Sequence, residues 1–84
     1  MDARARSFAE EAIRAVGRND AGAARTAVSQ AFEVDQGIGA LADAVHLACA
    51  EIDAEGGVST STWNVLADAV DTPDLVAVVE ASRT

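Results

Sequence analysis

Eighty-four residues, taken as one domain over 1–84, allow a modest core and leave little chain for a deep catalytic cleft. Fourteen acidic residues against six basic ones give a net charge of −8, and every basic side chain is an arginine. No cation follows Arg25 until Arg83, so the stretch from Glu33 to Glu80 carries unbalanced negative charge that excludes a phosphate backbone or an anionic membrane as a direct partner.

The first predicted helix covers residues 2–16. Phe8, Ala12 and Val16 recur at helical spacing, flanked by Ala5, Ala9, Ile13 and Ala15, while Arg6, Glu10 and Arg14 can pair at i,i+4 on the solvated side. Gly17 reads as its stop, and Asn19 or Asp20 as the cap of a second helix. That helix runs to about residue 35 with Ala24, Ala27, Val28, Ala31 and Phe32 inward; Gly37 in a left-handed conformation would end it and let Ile38 fold back toward Phe32.

Residues 40–70, ALADAVHLACAEIDAEGGVSTSTWNVLADAV, form the centre of the molecule: a helix, a short acidic glycine-bearing loop and a second helix. Ile38, Leu41, Val45, Cys49 and Ile52 fall on one face with Ala48 beside them and demand burial. Asp43, His46, Ala50 and Asp53 make a narrow strip toward water. The next helix has Ser59 as N-cap, with Val58 and Trp63 placed for a hydrophobic staple and Leu66 and Val70 continuing the stripe. Thr72 before Pro73 marks the start of a fifth helix to about residue 82, with Leu75, Val78 and Val79 inward. The run LVAVV also fits a strand, but a lone strand has no partner in such a chain. The expected fold is therefore all-α, five short helices in one domain.

The chemistry this chain can carry is narrow. Cys49 is the single cysteine and sits on the buried stripe, where it acts as apolar filler. Asp43 and His46 lie one turn apart, but two donors on one helix do not hold a metal. No nucleophile has a base and an orienting partner, so no enzymatic activity is expected. The N-terminal MDARARSFAEEA lacks the apolar core of a signal peptide and no run is long enough to span a membrane, which predicts a cytoplasmic protein.

Around the central loop, the spacing in EIDAEGGVSTSTW resembles the calcium loop of EF-hand proteins. On that resemblance Glu51, Asp53 and Glu55 stand at the first three ligand positions. Gly56 is the turning glycine, Gly57 supplies a carbonyl, Val58 is the bridging hydrophobe, and Ser59 is both ligand and cap. Thr62 stands where the bidentate glutamate belongs, which removes two oxygens and a charge, so the resemblance implies weak calcium binding over residues 51–62 at most. A paired loop over residues 17–28 would offer Asn19 as its one early oxygen donor. Phe8, Ala12, Ala24, Ala31 and Phe32-Glu33-Val34-Asp35 also resemble one tetratricopeptide hairpin, although Gln36 replaces the usual proline and no second repeat follows.

Recognition of another protein is the remaining expectation. Leu47, between Asp43 and Glu51, and Val65, opposite Trp63 and Leu66, break the polar faces of their helices. Each can be tolerated exposure or can pack beneath a neighbouring helix. Together they can form a patch whose acidic rim suits a basic partner or, in self-association, a second copy of the chain.

Overall fold

The computed structural model describes residues 2–70 and 72–83. They form five helices: α1 (Ala3–Gly17), α2 (Ala21–Val34), α3 (Gly39–Glu55), α4 (Thr60–Val70) and α5 (Pro73–Arg83). A single 3₁₀ turn, Gln36–Ile38, leads into α3, and no strand occurs among the described residues. The LVAVV run is helical.

Local chemistry sets most of the boundaries. Asp2 caps α1 by accepting from the Arg4 N–H at 2.9 Å, and Asp20 caps α2 by accepting from the Ala23 N–H at 3.0 Å. α1 ends at Gly17, as the sequence suggested, but Gly17 is its last helical residue and the left-handed conformation, at φ 58°, falls on Asn19. Gly37 is likewise not a left-handed cap. α2 ends because Asp35 swings to extended backbone, and its carboxylate then accepts from the Gly37 N–H at 2.9 Å to build the 3₁₀ turn. Thr72 precedes α5, and its carbonyl accepts from the Val76 N–H at 3.0 Å. The Thr72 hydroxyl, however, is buried without a hydrogen-bond partner among the described residues, so it does not act as the side-chain cap that its position implied.

The core is built by all five helices. Ala9, Ala12, Ile13 and Val16 of α1 meet Ala24, Ala27, Val28 and Ala31 of α2, and Leu41, Val45, Ala48 and Cys49 of α3 close the same cluster. Alanine at so many contact positions lets α1 and α2 lie close together. Trp63, Leu66 and Val70 bring α4 onto this cluster, while Leu75 and Val79 bring in α5. The stripes read from the periodicity are largely buried: Phe8 and Val78 are partly buried against the core, and Phe32 is 41% exposed. Consecutive helical residues are about 100° apart, so once Ala31 is fully buried Phe32 stands at the edge of the interface.

The i,i+4 pairs expected on α1 give way to longer-range ones. Arg6 pairs with Asp74 of α5 and Arg18 with Glu11. None of the described helices is long and apolar enough to cross a membrane.

Candidate recognition surface

The α3–α4 hairpin presents the residues singled out from the sequence. Residues 56–59 alone separate the two helices. Gly56 adopts φ 75°, the left-handed cap that a side chain would strain, and its N–H bonds to the Ile52 carbonyl at 2.8 Å. Ser59 then caps α4, its Oγ accepting from the Thr62 N–H at 3.2 Å. The Ser59 backbone N–H and hydroxyl both donate to Glu51, at 3.2 and 2.9 Å. In a usual capping box the carboxylate comes from the third helical residue. Here that residue is Thr62, and the preceding helix supplies the acid instead. Hydrogen bonding from Thr62, together with that from the Ser59 side chain and backbone, holds the Glu51 carboxyl below the ordinary glutamate range.

This arrangement does not form the cation loop that the spacing suggested. Glu51, Asp53 and Glu55 all belong to α3, where residues two apart point about 200° from one another. Glu51 turns toward α4, whereas Asp53 turns toward α2 and pairs with Arg25 at 2.5 Å. Ser59 and Thr62 spend their oxygens within the cap. Among the described residues no three His, Cys, Asp or Glu side chains come together in a way that holds a metal ion. The helix-favouring run up to Glu55 carries α3 through the first five positions of the would-be twelve-residue loop, and the ligands therefore spread around a cylinder instead of converging.

Leu47 and Val65 do stand in solvent, at 48% and 45% exposure. The Glu51–Ser59 contact fixes how the two helices of the hairpin face each other. Leu47 lies one turn before Glu51, and Val65 about one turn beyond Thr62, each further from the connecting loop; helical periodicity therefore puts each on the side of its helix nearer the other helix. Asp43 and Asp68 are exposed on the same helices. No arginine or lysine occurs in α3 or α4.

A third exposed apolar residue, Phe32, belongs to this side of the molecule and was assigned to the core from sequence. It lines a groove between α2 and α3 with Val28, Ser29, Ala42, Asp43 and His46. The available signal was its place at the edge of a stripe already filled by Ala24, Ala27, Val28 and Ala31. Together, Phe32, Leu47 and Val65 are the exposed large hydrophobic residues of the described chain, and all lie on α2, α3 and α4.

Cys49 is fully buried, and its thiol lies 3.5 Å from the Ala21 carbonyl. Burial pushes that thiol up and away from the reactive thiolate, as the filler reading expected. Compared with the models of known protein families, with curated proteins and with solved structures, the chain matches none.

Proposed function

We propose that this protein is a non-catalytic, cytoplasmic recognition module that engages another protein through the α3–α4 groove flanked by Leu47 and Val65. The exposure of two large aliphatic side chains on neighbouring helices of one hairpin carries the reading. The chemistry nearby supports a binding role over a catalytic one. Cys49 is sealed in the core, and the hydroxyls of Ser59 and Thr62 are engaged in capping α4.

The test separates the patch from the fold. Leu47→Asp with Val65→Asp changes two exposed positions and should move stability by no more than about 0.5 kcal/mol per site. It should nonetheless abolish a partner adduct formed by a photo-crosslinker at Ala50, between the two grooves, while a crosslinker at Glu11 on α1 gives none. Unfolding of the double variant would mean that the two side chains belong to the core, and an unchanged adduct would mean that binding lies elsewhere.

A further inference from the structure

The exposed apolar surface extends past Leu47 and Val65. His46 and Leu47 are consecutive in α3, separated by about 1.5 Å along the axis and about 100° around it. His46 turns into the groove that holds Phe32, and Leu47, itself exposed, turns by helical periodicity toward the α4 side of α3, where Val65 is exposed. The two grooves thus flank α3 at one level, and the crest between them carries exposed Ala50, small enough for a chain to pass over it.

We propose that both grooves together dock one amphipathic, positively charged helix of a partner protein, laid across α3; the proposal rests on the recognition reading above and names its partner. Charge decides the chemistry of the occupant. Glu33 and Asp43 border the groove between α2 and α3, and neither has an ion pair among the described residues. Arg25 is the one cation on α2, α3 and α4, and Asp53 already neutralises it. An apolar strip inside such a rim selects a ligand that is apolar in the middle and cationic at its edges.

A second copy of the chain does not meet both demands. Its α2–α3–α4 face brings the same negative charge, and α1, which carries three of the six arginines, exposes no large hydrophobic residue. Neighbouring helix axes are separated by about 8–10 Å, so anchors entering the two grooves sit roughly 10 Å apart, about seven residues along a docked helix. The occupant therefore carries large apolar residues at i and i+7, with one between them on the same face.

The probe is a lysine–leucine peptide of about 15 residues, a length that spans the α2-to-α4 width, with leucines on one helical face. Two controls accompany it: the same composition scrambled, and glutamate in place of every lysine. By calorimetry the patterned cationic peptide should bind at least about tenfold tighter than either control and weaken as salt is raised. Amide shifts in the unaltered protein should move at Phe32, His46, Leu47 and Val65 and stay still along α1. Phe32→Ser and the Leu47→Asp, Val65→Asp pair should each cost about tenfold or more in affinity. Equal binding of the scrambled peptide, or shifts confined to one groove, would overturn the proposal. Tight binding of the glutamate peptide that is still lost in the Leu47→Asp, Val65→Asp protein would remove the cationic partner and leave the recognition surface standing. Peptide binding that ignores those substitutions would remove both.

Discussion

Where α1 meets α5, the backbones approach so closely that a methyl group on Gly17 would stand 2.5 Å from the Ser82 Cβ and 2.9 Å from its carbonyl oxygen. Where α3 meets α4, side chains do the work: Leu41, Val45 and Ile52 share the dry cluster with Trp63 and Leu66, and the Glu51–Ser59–Thr62 bonds close its end. The first contact is a close approach of backbones, secured at its far end by Arg6 and Asp74. The second has shape to spare on its outer side, where Leu47 and Val65 remain uncovered. A seam that depends on the absence of a side chain is closed to added volume at Gly17, whereas the hairpin leaves apolar side chains uncovered. On the proposed reading, the first seam serves the fold alone and the second serves both the fold and a partner.

The sharpest way to break this picture is at Thr62, which is 2% exposed within the hairpin. In a calcium loop, Thr62→Glu would restore the missing bidentate ligand and tighten the ion. In the capped hairpin it forces a second carboxylate into a buried position beside Glu51, and the expected outcome is destabilisation by about 2–4 kcal/mol. Chemical denaturation with and without calcium measures it. A saturable gain in stability on adding calcium would mean that the helix yields to a loop and that the geometry of residues 51–62 is dictated by the ion.

The α1–α5 seam should respond to volume. Gly17→Ala has no room unless α5 shifts, since the opposing atoms include backbone, and the expected cost is about 1–3 kcal/mol. The loss should be local: amide exchange along α5 accelerates, while the indole of Trp63 keeps its emission and Leu47 and Val65 keep their binding. A uniform loss of protection across α3 and α4 would show that the two halves unfold as one body and that the contrast between them has no energetic meaning.

The scaffold of both halves was legible in the sequence because its signals are local. Asp20, Ser59, Gly56 and Pro73 act within one turn of their own positions, and the Leu41–Val45–Cys49–Ile52 stripe needs only the helical period. The central hairpin followed from those alone, whereas Leu47 and Val65 were left open between exposure and packing beneath a neighbouring helix until the fold placed them in solvent. What escaped depends on residues far apart in the chain. Gly17 looked like a helix stop, yet its importance comes from Ser82, 65 positions away. Arg6 looked like a partner for Glu10 and bonds Asp74. Phe32 passed as core because periodicity cannot tell that Ala31, one residue earlier, already fills the α1–α2 contact. The acidic run misled for another reason: alternate carboxylates suit a loop only if the backbone leaves the helix, and AEIDAE has every reason to stay in it. The proposed recognition surface was thus half visible, through Leu47 and Val65, and hidden at Phe32.

The smallest predicted effect probes the polar lock that sets the hairpin's outer edge. Glu51 is held below the ordinary glutamate range by hydrogen bonds from Thr62 and Ser59. A carboxylate whose folded-state value is depressed stabilises the fold above its unfolded value, and that stability is lost as pH falls through the folded one. The hairpin should therefore keep the full contribution at neutral pH and shed it only in acid, from the ordinary carboxylate value downward. Glu51→Gln should lower the melting temperature slightly at neutral pH and flatten that part of the acid limb; Gly17→Ala should shift the whole curve without changing its shape. Should Glu51→Gln leave the acid limb as steep as before, the carboxylate of Glu51 would have no part in fixing α4. The facing of Leu47 and Val65 would then rest on the apolar contacts of Trp63 and Leu66 alone.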